Sequence, residues 1–246
     1  MFKVYPFDCV QGILSAMKNE RLHKFLSRAG VASRRQAEEM IRRGLIRVNG
    51  EKATIGDSID PEQDKVFYAG RLVTIHKPII YAFNKPIGVT STLRDAHADK
   101  TIADFFPKNR RVYPVGRLDK YSGGLILVTD DGELANILMH PRYNHEKEYA
   151  VELCGENDSD LQKFTKRYDL DGSKTQPMQL KLIQKLASKR WRIHLILKEG
   201  KKRQIRRVAQ MLGYRVERLT RLRIGKLRLD DLKVGKWKIV KREDII

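Results

Sequence analysis

Cysteine is nearly absent from this chain. It has two in 246 residues, Cys9 and Cys154, and neither belongs to a C-x-x-C pair. That pattern gives no zinc motif and no disulfide framework, and buried or incidental thiols in a reducing cytoplasm account for them most simply. The six histidines show no metal-ligand spacing (His140 and His145 are five apart in a loop), so no metal is expected. Long apolar runs are missing too. None approaches the ~20 residues that a membrane span needs. Acid is short relative to base: 30 Asp and Glu stand against 50 Lys and Arg, a formal net charge of +20. A balance that basic calls for a polyanionic partner, and with no device for membrane anchoring the partner is expected to be nucleic acid.

What is present falls into an extension and two modules. Residues 1–17 carry Asp8 and lack the basic start and long apolar centre of a signal peptide. They read as an extension, disordered or not native, ahead of a second methionine, Met17. From there, Leu22, Phe25, Leu26 and Ala29 form an amphipathic helical stripe that ends at Gly30. Ser33 and Gln36 make a capping-box pattern for a second helix. Its inner face is Ala37, Met40 and Ile41, and its outer positions include Arg34, Arg35, Arg42 and Arg43. Ile46 and Val48 then alternate up to Asn49-Gly50, a hairpin turn signal. The segment RLHKFLSRAGVASRRQAEEMIRRGLIRVNGEKA resembles the S4 RNA-binding fold. The resemblance places the four arginines on an RNA-facing surface, contacting phosphates more than bases. A boundary is expected near His76 to Pro78, giving an S4 domain over 18–77 and a second domain over 78–246.

In the second module, strands are expected at Ile79–Phe83, Lys147–Leu153, Met178–Ile183 and Trp191–Leu197. Helices are expected at Thr101–Phe106, Gly132–Met139, Leu161–Tyr168 and Gln204–Leu212. Asp130 and Asp131 read as capping acids for the second of these. Strands and helices alternate without a βαβ repeat, so the fold class is α+β with a mixed, largely antiparallel sheet. Charge is concentrated here: Lys198 to Arg228 holds twelve Lys and Arg against Glu199 and Glu217, half the excess of the whole chain. A basic element of this kind funnels a phosphate backbone.

One stretch organises the module: Tyr113 to Asp131, strand, glycine-bearing turn, strand, with Arg117, Leu118, Asp119 and Lys120 on the turn. By spacing alone, Arg117 and Asp119 either solvate a loop or are aimed by it. GRLDKYSGGLILVTDDGEL, with NKPIGVTST upstream and HEKEY and GKKRQIRR downstream, looks like the RNA pseudouridine synthases. With an S4 module in front, the chain resembles the bacterial ribosomal-RNA branch, leaning to its large-subunit members.

The resemblance implies a monomeric cytoplasmic enzyme, with no cofactor, that isomerises a uridine of ribosomal RNA. Asp119 matches the catalytic aspartate; it attacks the sugar, attacks the base or abstracts a sugar proton. Arg206 matches the basic residue that pairs with that aspartate, and Tyr149 matches the active-site tyrosine. Arg117 would fill the space left by a flipped nucleotide. Leu118, Lys120, Lys202, Arg203, Gln204 and Ile205 are expected at the substrate. The alternatives are a small-subunit or transfer-RNA target, or a ribosome-assembly factor that binds RNA without chemistry.

Overall fold

The computed structural model describes residues 19–93, 95–155 and 158–246; the expected extension and Cys9 lie outside them. The chain divides into two compact units, one ending at Lys77 and including Asn109–Arg111, the other made of Pro78–Lys108 and Val112–Ile246.

In the first unit, α1 (Leu22–Arg28) buries Leu22, Phe25 and Leu26, and Gly30 follows at φ +78°. Ser33 caps α2 (Arg34–Arg42) through a complete capping box with Gln36, and Ala37 and Ile41 face the core. Strands β1 (Ile46–Val48) and β2 (Glu51–Lys52) pair through Val48 and Glu51. Asn49 and Gly50 between them are both at positive φ, the type I′ geometry that Asn-Gly favours. Strands β3 (Val66–Tyr68) and β4 (Arg71–Leu72) complete a four-stranded sheet in the order β2-β1-β3-β4.

The second unit is built on β5 (Ile80–Lys85), β6 (Tyr113–Val115), β7 (Gly123–Thr129), β8 (Lys147–Cys154), β9 (Gln179–Ala187), β10 (Arg190–Leu197), β11 (Arg215–Ile224), β12 (Leu227–Arg228) and β13 (Trp237–Ile239). Among the described residues these form one sheet in the order β9-β10-β8-β11-β7-β5-β13, with β6 on β7 and β12 on β11. Every pairing is antiparallel except that of β11 with β7. Every residue of β5 and β7 is buried, and the apolar runs Ile80–Phe83 and Leu125–Val128 suit strands covered on both faces, while Asn84 and Lys85 are buried polar residues at the end of β5. Their alternate side chains feed two cores. Phe83, Ile126 and Val128 join Tyr149, Leu195 and helix α4 (Gln204–Met211) on one face. Ala82, Leu125 and Leu127 join Leu134, Ala135 and Leu138 of α3 (Gly132–Met139) on the other.

Two expectations are corrected, and the basic stretch gains a placement. Asp131 caps α3, its side chain accepting from the Glu133 and Leu134 amides, but Asp130 does not. The Asp130 carboxylate accepts from the amide of Ile79 at 2.8 Å and ties β5 to the end of β7. The segment expected as a helix over Leu161–Tyr168 is a 3₁₀ stretch, Asp158–Thr165, whose Leu161 and Phe164 plug the core. The basic stretch Lys198–Arg228, which includes α4, is partly interior. Its second half is β11, a central strand, with Leu219, Arg221 and Ile224 buried.

Candidate active site

The turn between β6 and β7 is held by main-chain and short polar contacts. The Ser91 hydroxyl donates to the Leu118 carbonyl at 2.8 Å and accepts from the Leu118 amide at 3.1 Å. The amide of Gly88 donates to the Lys120 carbonyl, and that of Ser122 to the Asp119 carbonyl. NKPIGVTST is therefore the clamp for the turn. Leu118 is buried while Arg117 is exposed and Asp119 and Lys120 are half-buried, so the loop plants one side chain and presents its neighbours. Replacing Ser91 by Ala removes both hydrogen bonds and leaves a buried amide unpaired, at a cost of ~1–3 kcal/mol. The Leu118 amide should then exchange with solvent at least about tenfold faster. Unchanged protection there would show that the clamp lies elsewhere.

Three cations surround Asp119. The nearest is Arg203, whose Nη1 is 3.8 Å from its carboxylate. Arg206, expected as the partner, instead donates to the carbonyl of Tyr121 at 2.7 Å and that of Val216 at 3.3 Å, while its Nε is buried without a hydrogen bond. Burial and the charge of Arg203 lower its pKa, and Asp119 opposes them. The third cation is Lys85. Its side chain is 1% exposed, and its ammonium donates to the carbonyls of Pro86 and Val89. Burial pushes its pKa down to about 8 against the raising effect of Asp119. Sequence reading passed over Lys85 and Ser91, although both lie in the quoted NKPIGVTST; nothing in their spacing set them apart.

Asp119 and Arg203, but not Lys85 or Arg206, line a cleft of about 1400 Å³ that also takes in Arg117, Lys202 and Tyr149. That exceeds the ~300–1,000 Å³ of ordinary small-molecule pockets and suits a segment of polymer. Tyr149 is 9% exposed on β8, within the core that lies under the cleft. Gln204 and Ile205 reach the wall, but mainly as structure. Gln204 is buried and donates to Glu199 at 2.8 Å, and Ile205 packs in the core. Lys120 lies 3.4 Å from Asp99, and Lys202 is exposed. In the other unit, all four arginines of the expected RNA surface are exposed. Arg34 meets the His23 ring at 3.0 Å and Arg42 pairs with Glu39. Among the described residues, no three His, Cys, Asp or Glu side chains converge as a metal-ligand set, and no helix is long and apolar enough to cross a membrane.

The family model for RNA pseudouridylate synthase matches residues 79–211, which contain the whole Asp119 turn and its cations. The chain belongs to this family. It is a pseudouridine synthase, an isomerase, with an S4 domain matched over residues 20–65. The synthase is 39% identical over 221 residues to "Ribosomal large subunit pseudouridine synthase B" of Bacillus subtilis (strain 168), covering 88% of this chain and 90% of that one. It is 36% identical over 230 residues to "Dual-specificity RNA pseudouridine synthase RluF" of Escherichia coli (strain K12), covering 92% and 77%. A solved structure described as "Crystal structure of pseudouridylate synthase" superposes with a TM-score of 0.64 at 29% identity, covering 91% of this chain and 97% of that one. The substrate of the synthase is accordingly RNA.

Proposed function

We propose that this synthase isomerises a uridine in large-subunit ribosomal RNA, with Asp119 carrying the chemistry. The observation behind the chemical assignment is the placement of Asp119: a carboxylate on a clamped turn, at the edge of a large basic cleft, among Lys85, Arg203 and Arg206. The choice of RNA is supported by the name of the Bacillus subtilis relative.

The reaction needs no other reactant. The N1–C1′ bond of the uridine breaks, the uracil turns, and a C5–C1′ bond forms; C5 loses a proton and N1 gains one, so the atoms balance. Asp119 acts on the sugar or base as a nucleophile or on the sugar as a base. The surrounding cations hold the carboxylate in place and offset charge that develops on the leaving base. Tyr149 offers a ring to the extruded uracil and a hydroxyl to the proton leaving C5. Arg117, exposed beside the cleft, fills the gap left in the RNA. Keeping water out is essential, since hydrolysis would leave an abasic site.

The test is a pseudouridine map of ribosomal and transfer RNA from a strain lacking the gene. One large-subunit site should disappear and return when the gene is restored. Survival of every large-subunit pseudouridine, or loss only from small-subunit or transfer RNA, overturns the assignment.

The S4 unit supplies affinity rather than chemistry in this reading. Arg35 and Arg43 are exposed, and unlike Arg34 and Arg42 have no side-chain partner among the described residues. Replacing both by Ala should leave turnover at saturating RNA unchanged and flatten the dependence of log affinity on log salt by roughly 1–2. An unchanged slope would take these two arginines off the RNA.

A further inference from the structure

We propose that the cleft holds a phosphate subsite, formed by Lys147 and Arg221 beside Tyr149, that grips a backbone phosphate next to the reacting uridine. The inference rests on the reading of this cleft as the uridine site.

The sheet dictates the arrangement. Lys147 and Tyr149 are two apart on β8 and point to the same face, and Arg221 is the β11 residue directly opposite Tyr149. All three line the cleft. Arg221 is 4% exposed. Its Nε donates to the Leu125 carbonyl at 2.7 Å, and its Nη2 is buried with no hydrogen bond. The Lys147 ammonium, with three protons to place, donates to the His145 carbonyl at 3.1 Å. His145 adds an Nε2 that is buried and unpartnered.

No carboxylate answers these charges. Glu146 and Glu148 flank Lys147 in sequence, but the alternation of β8 sends Glu148 to the opposite face, where it meets Arg223 at 3.1 Å and His194 at 3.4 Å. Glu146 pairs with Arg223 at 3.0 Å. Asp119 stands with Lys85, Arg203 and Arg206. Among the described residues, neither Lys147 nor Arg221 has an acidic partner within ion-pair distance. Burial, helped by the charge of Arg221, pushes the Lys147 pKa down to about 8. A buried guanidinium and a half-buried ammonium that repel each other, without a counterion, are costly unless a ligand brings the charge. Uracil is neutral and ribose is neutral. The anion that RNA brings is its phosphodiester, and a free guanidinium edge beside a compact ammonium suits it.

The chemistry gives such a subsite a purpose. When the N1–C1′ bond breaks, the uracil must turn while C1′ stays still. The ribose remains tied to the RNA through its phosphates, so fixing one of them fixes C1′ for the second bond.

The test titrates the full-length protein, carrying lysine labelled with ¹³C at Cε, with uridine, uridine 5′-monophosphate, uridine 3′-monophosphate and inorganic phosphate. The Lys147 resonance is assigned by its loss in Lys147→Met. At least one monophosphate should shift it and bind at least about tenfold more tightly than uridine. Lys147→Met should erase that preference, and Lys147→Arg should retain most of it. A Lys147 resonance unmoved by every phosphate probe overturns the subsite, and so does a monophosphate preference that survives in Lys147→Met. The readout is binding of small probes by the wild-type fold, so it is independent of which RNA the synthase modifies. An error in the RNA assignment shows only in the pseudouridine map.

Discussion

Asp119→Asn should reduce isomerisation by at least ~10³–10⁴-fold while leaving the affinity for RNA within about threefold. The substitution is isosteric and removes one charge. The fold has little at stake in that charge. The side chain of Asp119 is 35% exposed, and its ion pair is the 3.8 Å contact with Arg203, itself 47% exposed. Pairs of this kind contribute ~0–1 kcal/mol. The turn is fixed by Ser91, Gly88 and Ser122 through the main chain, so the carboxylate is not what shapes it. A carboxamide can sit in the same place but can neither attack carbon nor accept a proton. Affinity, set by many phosphate contacts across a strongly basic protein, should barely respond. The measurement is release of tritium from uridine labelled at C5, alongside a binding isotherm for the same RNA. Activity above about 1% of wild type would remove Asp119 from the bond-breaking steps, and a large loss of affinity would make it a binding residue instead.

Much of the fold could be read from local chemistry because it is decided locally. The Ser33–Gln36 capping box, the Asn49-Gly50 hairpin and the Asp131 cap each depend on residues within a few positions, and each is found where its pattern lies. The misreadings share a cause: the deciding partner is remote in sequence. Asp130 looks like a second capping acid until β5 brings the Ile79 amide to it, 51 residues away. The strand β11 carries its apolar residues at Val216, Leu219, Leu222 and Ile224, without strict alternation, and four arginines lie among them, so no simple strand pattern shows. Only placement between β8 and β7 buries Arg221. The site divides in the same way. Asp119 and its glycine-bearing turn are visible in sequence, and the family motifs name Tyr149 and Arg206. The roles of Lys85 and Ser91 depend on a loop folding back from β5 onto the turn, and no spacing rule reports that. The geometry also redistributes the expected Arg206–Asp119 pair, giving the nearest contact to Arg203 and turning Arg206 toward the carbonyls of Tyr121 and Val216.

Gly124→Ala should unfold the catalytic unit more readily than any exposed glycine substitution can, by roughly 3 kcal/mol or more, since it combines backbone strain with overpacking. Gly124 sits at φ +98°, and a Cβ there would come within 2.6 Å of the Arg221 amide nitrogen and closer still to its carbonyl oxygen. Those atoms belong to β11 at the point where it pairs with β7 in parallel, Thr220 against Gly123 and Arg221 against Gly124. Backbone cannot step aside as a flexible side chain would, so the strands must part. The useful control is Gly172→Ala in the same unit. Gly172 is also at positive φ, +75°, but has open space around the added carbon. That variant carries the conformational strain alone and should cost about 1 kcal/mol. In a thermal melt the Gly124 variant should lose ~6–12 °C and the Gly172 variant ~2–4 °C. Equal losses would mean that φ, not the close approach of β7 and β11, makes glycine necessary. The damage should also reach function. The strand that Gly124 opens follows directly on the Asp119 turn, and the strand it would push away carries Arg221, which donates across the junction to Leu125. Gly124→Ala should therefore lower turnover even at temperatures where the protein remains folded, whereas Gly172→Ala should not.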